Sequence, residues 1–210
     1  SQRFASHLLE YATRETRPWF IARSRSIANT LATHGDPEKL PEDLFGDAKE
    51  RYFAGDHDAC LEILREIGAL GLVRGDWKHL EASCLREMGR PEEAQRVCEV
   101  GLAADNKHWQ IHRLNGSLLW DLKEYYEALE AYDRALALQP TDPYTWYYKG
   151  YALYCLENDH AALPCLDRAI SLRKDAPYLY NQKAFCLERM GRTDEAVVAY
   201  RKSLQLRPED

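Results

Sequence analysis

The chain has 210 residues, of which 45% are hydrophobic and 30% are charged, and its formal net charge is −6. Such mild acidity is unsuited to binding nucleic acid through broad neutralisation of phosphates, so we predict no nucleic-acid partner. The sequence has no run of about 18 apolar residues, so we predict no membrane insertion either. It also shows no charged-then-apolar leader with a small-residue cleavage site, so we expect no secretory signal.

Residues 1–40 contain two amphipathic stretches separated by Pro18, and we predict two helices there. Up to His34 the segment carries five arginines and two glutamates, a formal charge of +3. Three interpretations stay open. The segment packs on the first repeat as a cap, it is the end of an upstream domain, or it is a membrane or nucleic-acid patch, for which the arginines lack clustering.

Beyond residue 40, small and bulky residues recur with a period of 34. A small–bulky–small triplet at i, i+4 and i+7 lies on one helix face, and its small members let a neighbouring helix approach closely. The triplets are Ala94, Cys98 and Gly101; Ala128, Tyr132 and Ala135; Ala162, Leu166 and Ala169; and Ala196, Tyr200 and Ser203.

The central unit, Pro143–Ala176, shows how each period is divided. Its opening proline suits the first position of a helix, where no amide hydrogen is needed. Asn158 and Asp159 then supply a break and an N-cap, because a short side-chain oxygen accepts from the free amides of a new helix. The second helix is predicted over His160–Arg173. Each unit is therefore helix, short turn, helix.

At these positions the chain resembles the tetratricopeptide repeat (TPR) family. The resemblance is carried in the central unit by Trp146, Gly150, Ala162, Leu166 and Ala169. It implies an all-α fold, an α-solenoid of five tandem helix-turn-helix repeats in a right-handed superhelix. The two helices predicted in residues 1–40 precede this array. The expected repeats are 41–74, 75–108, 109–142, 143–176 and 177–210, with residues 1–40 as the N-terminal helical segment.

The resemblance also implies that the first helix of each unit lines a concave groove. Tyrosine and tryptophan are common interface anchors, since they combine a large contact area with a polar tip. We therefore predict a non-catalytic scaffold that binds a protein or peptide partner in an aromatic-lined groove. Alternatively, several of these rings pack only between adjacent first helices or under the N-terminal segment. The predicted groove residues are Arg113, Trp120, Tyr144, Tyr147, Tyr148, Tyr151, Tyr154, Tyr178, Asn181 and Phe185.

One branch of the family, the chaperone co-factors, grips a C-terminal carboxylate with lysine, asparagine and arginine side chains. The matching positions in this chain lack that set of cations and amides, so we predict binding that is more apolar than ionic. These positions hold Arg113, Ser117, Tyr148, Tyr178 and Gln182.

No catalytic constellation is present, and we predict that the chain is not an enzyme and needs no cofactor or metal. His108 and His112 are four residues apart but have no third ligand, so a structural role is favoured. The glycines at 68–71 lack the Lys-Ser/Thr of a phosphate-binding loop. Two alternatives to the scaffold remain: the substrate-recruiting TPR region of a larger enzyme such as a glycosyltransferase, and a self-assembly module that forms a homo-oligomer.

The six cysteines form no Cys-x-x-Cys pair. We predict reduced thiols in a cytoplasmic protein, with disulfides or a metal cluster as the alternatives. The chain starts at Ser1 without methionine and ends at Asp210 without a polar capping helix, from which we expect a piece of a longer protein or a processed one.

Overall fold

The computed structural model describes residues 40–69 and 73–207, with side chains from 41–68 and 73–207. The predicted N-terminal helices in residues 1–39 lie outside this range. The described residues form helices joined by short turns, and no strand occurs among them. The helices are α1 Leu40–Phe53, α2 His57–Ala69, α3 Gly75–Glu87, α4 Pro91–Ala104, α5 Trp109–Asp121, α6 Tyr125–Leu138, α7 Pro143–Cys155, α8 Asp159–Leu172, α9 Pro177–Arg189 and α10 Thr193–Gln205.

The helices pack in consecutive pairs, and each pair falls within one predicted 34-residue repeat except that α1 begins at Leu40, one residue before the first of them. The chain divides between Asp105 and Asn106 into two compact units. Unit 1 contains the pairs α1–α2 and α3–α4, and α2 also packs on α3. Unit 2 contains the pairs α5–α6, α7–α8 and α9–α10, in which α6 packs on α7 and α8 on α9. The prediction of an all-α solenoid is confirmed.

The repeated triplet forms the buried face of the second helix in unit 2. Ala128 and Ala135 of α6 and Ala162 and Ala169 of α8 are fully buried. Leu166, between the two alanines of α8, is also fully buried, which stabilises the fold by about 2 kcal/mol. The small residues thus mark where helices meet closely, as the sequence predicts.

The helix starts predicted in unit 2 from prolines and from an N-cap residue are observed in the structure. Pro143 and Pro177 lie in the first turns of α7 and α9. The Asn158 side chain caps α8 by accepting from the amide of Ala161 at 3.3 Å. Helix α8 covers Asp159–Leu172, one residue earlier at each end than predicted.

All five helix pairs among the described residues close their turn in the same way. The turn residue has a positive φ in each pair, at Gly55, Gly89, Lys123, Glu157 and Gly191. Its amide donates to the carbonyl three residues earlier at 2.9–3.0 Å, and the next amide donates to the carbonyl five residues earlier at 2.8–2.9 Å. This is the Schellman ending of a helix, which satisfies the last free carbonyls and turns the chain back. Lys123 and Glu157 adopt it without being glycine.

Consecutive pairs of unit 2 are also joined by a repeated ion pair. Lys149 of α7 donates to Asp133 of α6, and Lys183 of α9 donates to Asp167 of α8. Such partly exposed pairs contribute about 0–1 kcal/mol each. Their spacing of 16 residues is the same at both junctions, so the register between pairs is the same.

Candidate functional site

The ten predicted groove residues all lie in unit 2, on the first helices α5, α7 and α9. Tyr144, Tyr147, Tyr148, Tyr151 and Tyr154 belong to α7, at the centre of the unit. Helix α5 contributes Arg113 and Trp120, and helix α9 contributes Tyr178, Asn181 and Phe185.

Five of these rings form one continuous set of contacts across α5, α7 and α9. Trp120 and Tyr151 have ring centroids 6.0 Å apart, and Tyr151 stacks near Tyr147 at 6.1 Å. Tyr147 also contacts Tyr148 at 5.4 Å and meets Tyr178 edge-on at 5.0 Å. Each such pair adds about 0.5–1.5 kcal/mol beyond the area that it buries. We call Trp120, Tyr147, Tyr148, Tyr151 and Tyr178 the ring cluster.

The ring cluster is anchored on the packed interior of unit 2. Tyr148 stacks on the buried ring of Tyr132 of α6, with centroids 6.2 Å apart and planes 12° apart. Tyr147 packs against the buried cluster of Ala169, Ala176 and Leu179. All five rings are half-buried, neither sealed in the core nor fully in solvent. The rings therefore pack between adjacent first helices and also present part of their surface outward.

Two arginines flank the outer tyrosine of α7. Tyr144 lies with its ring centroid 6.0 Å from the guanidinium of Arg113 and 5.3 Å from that of Arg173. Arg173 also donates a hydrogen bond to the Tyr144 hydroxyl, and the charge interaction with Tyr144 raises the pKa of Arg173. Carboxylates balance both cations in part, since Arg113 lies 4.0 Å from Asp142 and Arg173 lies 3.6 Å from Asp175.

Three tyrosines of the ring cluster have a raised hydroxyl pKa. Burial raises the pKa of Tyr147 and of Tyr178, and a hydrogen bond with Cys155 raises the pKa of Tyr151. A tyrosine with a raised pKa keeps its proton, so these hydroxyls can still donate. At Tyr147, Tyr151 and Tyr178 the cluster thus combines apolar ring surface with protonated hydroxyl groups.

Two polar atoms of α9 are buried beside the cluster without a hydrogen-bond partner among the described residues. They are the hydroxyl oxygen of Tyr178 and the amide nitrogen of Gln182. The Gln182 residue is only 6% exposed. Residues four apart lie on the same helix face, so both groups point to the same side of α9. A buried donor without an acceptor costs about 1–3 kcal/mol, and an incoming acceptor would recover that free energy.

The remaining predicted residues have other neighbours. The Tyr154 ring lies 3.9 Å from the guanidinium of Arg189, which also donates two hydrogen bonds of 2.6 Å to the buried Asp159. Phe185 meets Tyr200 of α10 edge-on at 5.9 Å. Asn181 is half-buried on α9. These three therefore stand apart from the ring contacts described above.

Three residues of this region are absent from the predicted set. Gln182 is a groove-facing position of the family that the predicted set leaves out, Arg173 lies at the end of the second helix of its repeat, and Tyr132 fits the buried triplet. Gln182 could have been included from sequence, because it occupies a groove-facing position of the family. No spacing rule reports that Arg173 reaches the ring of Tyr144.

One of the paired histidines, His112, is part of the packed interior. The His112 ring nitrogen Nε2 lies 2.9 Å from the carbonyl of Asn106, and the residue is buried. In the part of the chain that the structure describes, no group of three or more histidine, cysteine or acidic side chains could hold a metal ion. Within the same residues no helix is both long and apolar enough to cross a bilayer.

Comparison with known families agrees with this architecture. Two tetratricopeptide repeat models match residues 80–143 and 177–210. The chain is a tetratricopeptide repeat protein. TPR arrays are protein-interaction scaffolds, and the fold is typical of non-catalytic proteins.

Solved TPR-like structures share the fold at low identity. The crystal structure of MamA protein superposes with a TM-score of 0.70 at 17% identity, covering 82% of this chain and 94% of MamA. MamA from Desulfovibrio magneticus RS-1 gives a TM-score of 0.72 at 20% identity, covering 84% and 98%. Likeness at this level of identity shows the fold alone.

One curated relative matches part of this TPR protein. Over 92 residues this chain is 27% identical to the protein O-mannosyl-transferase TMTC1 of Homo sapiens. The match covers 44% of this chain but only 10% of the human enzyme.

Proposed function

We propose that unit 2 binds an extended peptide segment of a partner protein on the surface of α5, α7 and α9, centred on the ring cluster. The observation that supports this most is the conjunction of half-buried rings with two buried, unpartnered polar atoms on α9. Rings held by their neighbours lose little entropy on binding, which makes them effective anchors.

The chemistry of the surface defines the segment that fits. The ring cluster favours apolar or aromatic side chains of the peptide. The Gln182 amide nitrogen is a donor, so it calls for an acceptor such as a main-chain carbonyl of an extended segment. The nearby arginines are each close to a carboxylate, so ionic recognition contributes less than ring contact.

A double substitution of the cluster tests the proposal. Peptides selected from a random display library on the full chain are synthesised, and their affinities are measured by fluorescence anisotropy. We expect Tyr148→Ala with Tyr151→Ala to weaken binding at least about tenfold, because these positions are the centre of the surface. The matched control is Tyr126→Ala on α6, which removes a ring that is 75% exposed and outside the cluster.

Circular dichroism separates loss of binding from loss of fold. The helical signal of the double variant at the assay temperature should match that of the Tyr126→Ala control. Its unfolding midpoint should be lower than that of the control, because four ring contacts are lost. Unchanged peptide affinity in the double variant, or equal losses in both variants, would rule out the ring cluster as the binding surface.

Gln182→Leu tests the polar part of the surface separately. Leucine has a similar size but removes the buried donor, so the stability of the free chain should stay the same or rise. Peptide affinity should fall by about tenfold, since one hydrogen bond is worth about 1 kcal/mol and the carbonyl is left unpaired. Equal affinity for wild type and Gln182→Leu would remove this group from the proposal.

A second candidate is the substrate-recruiting region of a glycosyltransferase, and the partial match to the human O-mannosyl-transferase favours it. In that case the bound peptide belongs to a protein that is glycosylated by the same polypeptide. The sequence of the complete gene product tests this directly. A catalytic glycosyltransferase region in that product would support the candidate, and its absence would dismiss it.

A further inference from the structure

Two cysteine side chains of unit 1 meet inside the contact between α2 and α3. The sulfur atoms of Cys60 and Cys84 are 3.2 Å apart, and Cys84 donates the hydrogen bond between them. Both residues are fully buried. Both are free thiols, 24 residues apart in the chain.

The repeat explains why these two side chains come so close. One period later, the positions of Cys60 and Cys84 correspond to Ala94 and Leu118, and two periods later to Ala128 and Ala152. Ala128 and Ala152 share a buried cluster in unit 2, and the next equivalents, Ala162 and Cys186, share another. In unit 2 this slot between consecutive helix pairs therefore holds small side chains that share one buried cluster. In unit 1 the same slot holds the two sulfur atoms of Cys60 and Cys84.

We propose that Cys60 and Cys84 are a site of reversible oxidative modification, at which hydrogen peroxide converts the two thiols into a disulfide that links α2 to α3. A disulfide has a sulfur–sulfur distance of about 2.0 Å, so closure from 3.2 Å requires small side-chain rotations and a slight approach of the helices. Peroxide suits a buried site because it is small and uncharged.

The reaction balances with one peroxide. The Cys60 thiolate attacks a peroxide oxygen, the O–O bond breaks, and Cys60 becomes a sulfenic acid while hydroxide leaves. The Cys84 sulfur then attacks the Cys60 sulfur, the S–O bond breaks, and a second hydroxide leaves. The two thiol protons convert both hydroxides to water. Two thiols are oxidised and one peroxide is reduced to two waters.

The hydrogen bond assigns the order of the two sulfurs. By donating to Cys60, Cys84 stabilises the Cys60 thiolate, which lowers the pKa of Cys60 and raises that of Cys84. Burial opposes a charge on either sulfur, and the nearby carboxylates of Asp56 and Glu81 oppose it further. Cys60 is therefore the attacking thiol and Cys84 the resolving one.

Peptide mapping tests the site on the full chain. Reduced protein at low concentration is exposed to peroxide until the exposed Cys155 is fully oxidised, then alkylated under denaturing conditions and digested. We expect a linked peptide pair containing Cys60 and Cys84 that has lost two hydrogen atoms and disappears on treatment with dithiothreitol. The buried Cys98 should remain alkylated as a thiol.

Alanine variants supply the controls, since alanine stands at the position of Cys60 in the four later repeats and Ala152 stands at one equivalent of Cys84. Cys60→Ala and Cys84→Ala should fold and give no link, whereas Cys98→Ala should give the same link as wild type. Oxidation should raise the unfolding midpoint by about 5–10 °C in wild type and not in Cys60→Ala. Absence of the linked peptide once Cys155 is oxidised, or an equal rise of the unfolding midpoint on oxidation of Cys60→Ala, would overturn the proposal.

Discussion

The helix pairs α5–α6 and α7–α8 follow one 34-residue frame but fill its central gap with different side chains. In α7–α8 the bulky residue is Leu166, which serves the core alone. In α5–α6 it is Tyr132, whose hydroxyl lies 3.3 Å from Ser117 Oγ and whose ring supports Tyr148. The 34-residue repeat therefore determines which positions carry small side chains. The residue at the bulky position can differ, and in α5–α6 the ring of Tyr132 connects the core to Tyr148 of the ring cluster.

The largest effect should come from charging the small positions, and it should be the same in both pairs. Ala128 and Ala162 are fully buried, so Ala128→Glu or Ala162→Glu places a carboxylate where it has neither room nor a partner. We expect each to cost more than about 4 kcal/mol, enough to unfold a marginal array. Urea unfolding followed by circular dichroism measures this.

The exposed Ala137 of α6 offers the matched control. Ala137→Glu makes the same chemical change on the same helix and should shift stability by less than about 0.5 kcal/mol. Wild-type unfolding of Ala128→Glu or Ala162→Glu would mean that the buried face of the second helix is assigned wrongly.

Those small positions were predictable from sequence because they repeat, and so were the helix starts at Pro143 and Asn158, which depend on local chemistry. The exact neighbours of each ring were not. Tyr154 occupies a groove position of the family, but Arg189 from the next helix pair reaches its ring. The contact of Cys60 with Cys84 likewise depends on how two pairs approach each other, and a periodic pattern records no distance between pairs.

A smaller effect on stability should distinguish α5–α6 from α7–α8 when the equivalent glycines, Gly116 and Gly150, are replaced. A Cβ atom on Gly116 would lie 2.7 Å from Tyr132 Cε1 and 3.1 Å from the Ala128 carbonyl oxygen. On Gly150 it would lie 3.0 Å from Leu166 Cγ and 3.3 Å from the Ala162 carbonyl oxygen. Alanine favours a helix over glycine by up to about 1 kcal/mol, which offsets part of each clash.

We therefore expect Gly116→Ala to destabilise the chain by about 1–3 kcal/mol and Gly150→Ala by about 1 kcal/mol less. Adding Tyr132→Leu to Gly116→Ala should recover part of the loss, because it removes the ring that the new methyl meets. A double-mutant cycle in urea measures this coupling. If Gly150→Ala were the more damaging change, the difference in bulk between Tyr132 and Leu166 would not control the approach of the first helix.

The smallest effect should come from the turns, where α5–α6 and α7–α8 differ from the other three pairs. Lys123 and Glu157 have φ values of 68° and 59° at the position where the other pairs have glycine. A side chain in this left-handed region costs about 1–2 kcal/mol, while glycine adds about 0.5–1 kcal/mol of chain entropy to the unfolded state. Lys123→Gly and Glu157→Gly should each stabilise the chain by the difference, about 0.5–1 kcal/mol.

The reverse change, Gly89→Lys, should destabilise the chain by a similar amount, because the φ of Gly89, 71°, matches that of Lys123. Thermal and urea unfolding of the three variants measure the expected gain and the expected loss of stability. A loss of stability in both glycine variants would show that these turns do not hold the left-handed geometry in solution.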